Sequence, residues 1–216
     1  MKQGLTELAF ILDKSGSMAG LESDTIGGYN SMLGKQKAIE GECHITTVLF
    51  DNNCELLHDR IDIRAVSPMT GKEYQVGGTT ALLDAIGRTI HKIGNAQKHK
   101  ADEYRAEKVM IVIITDGEEN ASREYSAERI KRMIQHQKTR YGWEFIFLGA
   151  NIDAVETAGH FGISPDRAQN FHADQEGIEL NFRVMSEAVA SFRQMASMPE
   201  DWNEQIQENY RRRSGR

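Results

Sequence analysis

Cysteine and proline are scarce in this chain, with two cysteines and three prolines among 216 residues. Two cysteines are too few for a disulfide framework. Cys43 and Cys54 lie either side of the turn-prone Asp51-Asn52-Asn53. In a hairpin turning there, Cys43 falls opposite roughly residue 62 and out of reach of Cys54. Reduced thiols in a cytoplasmic protein are therefore expected. The few prolines and the lack of any Ser/Gly-biased stretch exclude a flexible linker. No apolar run approaches the ~20 residues that cross a bilayer. The opening Met-Lys-Gln-Gly-Leu-Thr-Glu runs straight into a strand without a leader's apolar core, so neither a membrane span nor a secretory leader is expected. Positive charge is also short. A formal net charge of −6 excludes a general nucleic-acid binder, which needs a net basic face.

What is present is an ordinary globular balance, 39% hydrophobic and 27% charged, in a chain long enough for one sizeable α/β domain. Residues 1–198 are assigned to that domain and 199–216 to a polar, basic tail. The basic run Arg211-Arg212-Arg213 with Arg216 reads as solvated rather than as a phosphate-binding arm.

Three near-continuous apolar runs suit strands buried on both faces: Glu7 to Leu12, Lys108 to Thr115, and Trp143 to Gly149. The first two each end in an aspartate, Asp13 and Asp116. Between the runs the period changes to that of helices. Leu82, Leu83, Ile86, Ile90 and Ile93 follow it, as do Ala127, Ile130, Met133 and Ile134 after the N-cap candidate Ser126. Asp153 and Glu156 open a short helix ending near Gly159, and Ile178, Phe182, Met185, Val189, Phe192 and Ala196 form one long stripe. Residues 44–51 and 54–63 alternate as a hairpin. The pattern gives a Rossmann-like αβα sandwich with a mostly parallel sheet and one antiparallel edge strand.

In open α/β sheets, ligands gather beyond the carboxyl ends of the strands, at a switch in strand order. Asp13-Lys14-Ser15-Gly16-Ser17 follows the first strand directly. Gly77-Gly78-Thr79-Thr80-Ala81-Leu82 precedes a helix, and Thr115-Asp116-Gly117 follows the second apolar strand. In this order the three segments resemble the metal-ion-dependent adhesion site of von Willebrand factor A domains, with its Asp-x-Ser-x-Ser, loop threonine and strand-end aspartate. The resemblance covers residues ~5 to ~195 and is closest to stand-alone intracellular bacterial members. It implies a divalent-metal site of Asp13, Ser15, Ser17, Thr80 and Asp116, with Mg²⁺ or Mn²⁺ as cofactor. The hydroxyls would ligate directly and the aspartates largely through water. Thr80 is preferred to Thr79 because Ala-Leu-x-x-Ala-Ile follows it as in the family. Hydroxyl and carboxylate oxygens suit a hard divalent cation. The implied function is metal-dependent binding of a protein partner presenting Asp or Glu.

Two other readings remain open: a Mg²⁺-dependent phosphoesterase, and a domain whose metal only staples loops. Against the enzyme stands the lack of a positioned general base. The segment also lacks the glycine frame of a P-loop, the spacing of a nucleophile elbow, and a second aspartate two residues after the first. The seven histidines show no metal-ligand spacing and are read as surface or hairpin residues. Glu118 and Glu119 are expected in a solvated loop. Met18 either contacts a partner or packs, and with Thr79 and Glu118 it is the candidate rim of the binding surface.

Overall fold

The computed structural model describes residues 1–215; Arg216, the end of the basic run, lies outside them. Six strands form one sheet: β1 (Lys2–Asp13), β2 (Cys43–Phe50), β3 (Cys54–Asp62), β4 (Ala106–Thr115), β5 (Glu144–Ala150) and β6 (Ala168–Phe171). Their order is β3-β2-β1-β4-β5-β6. Only β2 and β3 pair antiparallel; every other neighbouring pair is parallel. In the hairpin His44 lies opposite Asp62, and both cysteines are free thiols.

The period-two alternation of each strand assigns its side chains to two cores. Leu8, Phe10 and Leu12 of β1, with Met110, Val112 and Ile114 of β4, face one side. There they meet α1 (Glu22–Lys37) and α5 (Gln175–Met195). Ala9, Ile11, Ile111 and Ile113 face the other side and meet α2 (Leu82–Lys98), α3 (Ala127–Tyr141) and α4 (Ala154–His160). Helices on both faces explain why the strands read as unbroken apolar runs. No helix among the described residues is long and apolar enough to cross a membrane.

Glu7 is an exception inside those runs. It is fully buried on β1, where Arg60 of β3 grips its carboxylate through Nε at 2.9 Å and Nη2 at 2.7 Å, with Gln97 of α2 adding a third donor at 3.1 Å. Arg60 reaches across β2 from a left-handed backbone at a register shift in the hairpin. A buried carboxylate is tolerable only with such partners.

Three elements have no counterpart in the sequence reading. On α1 the inward stripe is Thr25, Tyr29, Met32, Leu33 and Gln36, half-masked by two polar residues. Gly28 there admits the Phe182 ring so closely that a Cβ would come within 2.4 Å of it. β6 is four residues long, too short for a period. The third is α6 (Glu204–Arg213), a helix where the sequence suggested only a polar tail, although Arg211, Arg212 and Arg213 themselves are exposed. Trp202 and Ile206 are buried against the α5 side of the sheet, and the Trp202 indole donates to the carbonyl of Asp166 at 2.8 Å. The basic run forms the last turn of α6, where cations suit the helix dipole, and Arg213 pairs with Asp174.

Candidate metal centre

From β1 the chain steps outward to β2 and β3; it then crosses back to β4 and proceeds to β5 and β6. The reversal therefore lies between β1 and β4, where an open α/β sheet leaves a crevice at its carboxyl edge. Asp13 ends β1, and Asp116 directly follows β4.

The Asp13 carboxylate is fixed from both sides. Oδ1 accepts the Ser15 amide at 2.7 Å, and Oδ2 accepts the Thr115 hydroxyl at 2.6 Å. Its own carbonyl accepts the hydroxyl of the buried Tyr74. A single tight turn over Gly16–Met18 then brings Ser15 Oγ to 3.0 Å from Ser17 Oγ, and Ser17 donates to Asp116 Oδ1 at 2.5 Å. Thr80 joins this group from the α2 side. A Cβ built on Gly117 would lie 3.3 Å from Ser17 Oγ and 3.4 Å from Thr80 Oγ1, so any side chain at 117 would intrude between the hydroxyls. Thr80 is buried while Thr79 is exposed. The structure thus brings Asp13, Ser15, Ser17, Thr80 and Asp116 into one cluster and leaves Thr79 outside it.

The loops that carry them brace one another through backbone bonds. Gly77 donates to the Lys14 carbonyl at 2.9 Å, Gly16 to the Gly78 carbonyl at 3.2 Å, and Asn120 to the Thr80 carbonyl at 3.1 Å. Gly78 takes φ +76°, and a Cβ there would meet Asn52 Oδ1 at 2.2 Å, so only glycine fits. Asn120 Oδ1 accepts the Thr80 amide at 2.9 Å.

Glu119 is not the solvated residue expected. It is half-buried, and its carboxylate accepts the amides of Leu83, Ala121 and Ser122 and the Ser122 hydroxyl. Asp84 accepts the amides of Arg123, Glu124 and Tyr125 in the same manner. Glu118 is exposed. Met18 packs into the core at 3% exposure, which removes it from the candidate partner rim. Sequence reasoning missed Tyr74, Asp84, Glu119 and Asn120 because each acts across loops, with no local spacing to mark it.

Electrostatics oppose two anions here. Burial raises the pKa of Asp13, against its hydrogen bonds to Ser15 and Thr115. Burial also raises that of Asp116, and the neighbouring Asp13 charge adds to it. Asp116 Oδ2 is buried with no hydrogen-bond partner. Among the described residues no three His, Cys, Asp or Glu side chains converge as a metal cage. The donor set is instead three neutral hydroxyls and two desolvated carboxylates, one of which has an orphaned oxygen. A hard divalent cation fits such a set, since it takes oxygen ligands and offsets the buried negative charge.

No protein-family model and no curated protein matches the sequence. Solved structures do match. The PilB minor pilin from Streptococcus sanguinis superposes with a TM-score of 0.61 at 12% identity, over 90% of this chain and 63% of the pilin. A von Willebrand factor type A protein from Catenulispora acidiphila gives 0.58 at 14% identity, over 86% of this chain and 42% of that one. The manganese-loaded TRAP protein of Plasmodium vivax gives 0.59 at 19% identity, over 83% and 72% respectively. The chain thus spans less than two thirds of the pilin and of the Catenulispora protein. These likenesses establish the fold, which is that of von Willebrand factor A domains.

Proposed function

We propose that this protein is a divalent-metal-dependent protein-binding module, an adaptor, whose metal is held by Asp13, Ser15, Ser17, Thr80 and Asp116. The observation that carries the reading is the orphaned Asp116 Oδ2, buried beside a second carboxylate on a residue whose Oδ1 already accepts the Ser17 hydroxyl. Without a cation Asp116 Oδ2 bears a desolvation cost with no hydrogen bond of its own. The manganese in a fold relative, the TRAP protein, supports the choice of a divalent ion.

Ser15, Ser17 and Thr80 offer neutral oxygens as direct ligands while Asp13 and Asp116 act largely through water, so the metal keeps an open, electrophilic position. Bound there, Mg²⁺ or Mn²⁺ supplies an electrophilic position that a partner's Asp or Glu carboxylate completes. The Asp13 carboxylate is held immobile by Thr115 and by the Ser15 amide, so the site is organised before any partner arrives. The exposed Thr79 and Glu118 then border the surface on which a partner is accepted or refused.

The test is a pull-down in Mg²⁺ beside the same pull-down in EDTA, followed by affinity measurements with the captured partner. Affinity should collapse in EDTA, in Ser15→Ala, and in one carboxylate-to-amide variant of the partner. Combining the three should add no further loss, which places them on one contact. Undiminished binding in EDTA would show that the partner uses another face.

A further inference from the structure

The loops that frame the candidate metal centre form one rim. Beyond the backbone bonds already described, Ala81 donates to the Asp51 carbonyl at 2.8 Å, and Asn151 Nδ2 lies 3.5 Å from the Asp116 carbonyl. Glu22 opens α1 directly after the first loop, and its carboxylate accepts the Gly20 amide at 2.8 Å.

This rim is acidic. Residues 14–22, 51–53, 77–80, 117–120 and 151–153 carry Glu22, Asp51, Glu118, Glu119 and Asp153 against a single cation, Lys14. Lys14 is committed already, since its Nζ pairs with Glu55 at 2.8 Å and little of its side chain is exposed. Asp51 accepts the Asn53 amide, and Asp153 those of Val155 and Glu156. Such bonds fix where the charges stand without cancelling them. Glu118 is exposed.

A bound dication changes this balance only at the centre. Its two charges offset those of Asp13 and Asp116, and the rim's own charge still faces whatever approaches. The buried, orphaned Asp116 Oδ2 makes the middle of the rim the ligand position. At physiological salt the rim's field decays over about 8 Å, which an extended chain crosses in about three residues. A lone acidic side chain is therefore attracted by the metal at contact and repelled by the rim on approach. Basic neighbours reverse that repulsion.

We propose that the partner is a protein segment whose Asp or Glu is flanked, within about three residues, by Lys or Arg that face Glu22 and Glu118. This partner class rests on the metal-dependent reading of the same site.

The probe is a multivalent phage library of peptides with a fixed central Asp and randomised flanks, panned on the full-length protein in Mg²⁺ and eluted with EDTA. Eluted peptides should carry Lys or Arg near the Asp about twofold or more above the unselected library, and Asp or Glu below it. The Glu22→Gln/Glu118→Lys double variant keeps the acceptor for the Gly20 amide and otherwise alters one exposed residue. It should retain the parent's Mg²⁺-dependent rise in melting temperature while losing the basic enrichment. Peptides eluted from the parent without basic flanks, or basic flanks that persist in the double variant, overturn the proposal alone. An EDTA eluate that is empty, or that Ser15→Ala yields equally, overturns the metal-dependent reading and the partner class with it.

Discussion

Thr115, the last residue of β4, donates its hydroxyl to Asp13 Oδ2, the end of β1, at 2.6 Å. The two strands that flank the reversal of sheet order are thereby tied side chain to side chain at their carboxyl ends. Asp116, one residue on, has no comparable anchor for its second oxygen.

That asymmetry predicts different outcomes for two superficially equal substitutions. Asp13→Ala strands the Ser15 amide and the Thr115 hydroxyl, at a cost of about 1–3 kcal/mol. Asp116→Asn removes a charge whose pKa is raised by burial and by Asp13. The folded state holds that proton more tightly than the unfolded chain, so ionisation at neutral pH lowers stability. In EDTA the Asp116→Asn protein should therefore melt at or above the parent, and Asp13→Ala below it. Mg²⁺ or Mn²⁺ at a hundredfold excess over Kd should add about 2.7 kcal/mol to the parent and nothing to either variant. Thermal unfolding with and without metal reads both effects.

Glu119 is predicted to control the metal site without touching it. Its carboxylate gathers three amides and a hydroxyl on the loop that follows Asp116. Glu119→Ala frees that loop, and with it Asn120, whose side chain holds the Thr80 amide. Metal affinity should fall roughly tenfold or more, as for other outer-shell supports, with the circular dichroism spectrum unchanged. Glu118→Ala, at the neighbouring exposed position, should leave metal affinity unaltered.

The contrast between Glu118 and Glu119 shows where the sequence was legible. Buried strands announce themselves by apolar runs, and the ends of those runs locate Asp13 and Asp116. Helices with unbroken stripes, such as Ile178 to Phe192, are equally plain. Neighbouring glutamates carry no signal for which one caps a distant amide, because that depends on where α2 begins. α1 stayed hidden because its inward face uses Thr25 and Gln36, and because Gly28 is chosen for the Phe182 ring rather than for helix propensity. Met18 was ambiguous for a similar reason, since a single apolar residue in a polar loop has no period.

His58 gives a pH dependence that owes nothing to the metal. It is buried on β3, with Nδ1 2.9 Å from the Thr47 hydroxyl, which also bonds Tyr29. Burial lowers its pKa below the ordinary 6.5, and His44 on β2 is lowered for the same first reason. The unfolded chain then takes up protons before the folded one does. Stability is full above pH 6.5 and declines as pH falls through that value toward the lowered one. For one group the slope is at most about 1.4 kcal/mol per pH. Urea unfolding between pH 8 and 5.5 should show the decline, and His58→Asn should flatten part of it. An unchanged slope in that variant would assign the effect to His44 alone.

The last prediction concerns residues 199–213. A solvated tail could be removed without consequence, whereas α6 is anchored by buried apolar groups. Trp202 and Ile206 are 6% and 1% exposed, and the Trp202 indole also satisfies the Asp166 carbonyl. Trp202→Ala should cost about 3–5 kcal/mol, as for other large aromatic truncations in cores. Arg213→Ala removes its pairing with Asp174, but that pair is partly exposed and should be worth no more than about 1 kcal/mol. The helix is therefore held by its apolar face rather than by its basic run. A domain of this kind is stable by about 5–15 kcal/mol in total. A chain ending at residue 198 should accordingly unfold at much lower urea, and its loss should be at least that of Trp202→Ala. An unchanged midpoint in the shortened chain would mean that α6 rests on the domain without supporting it.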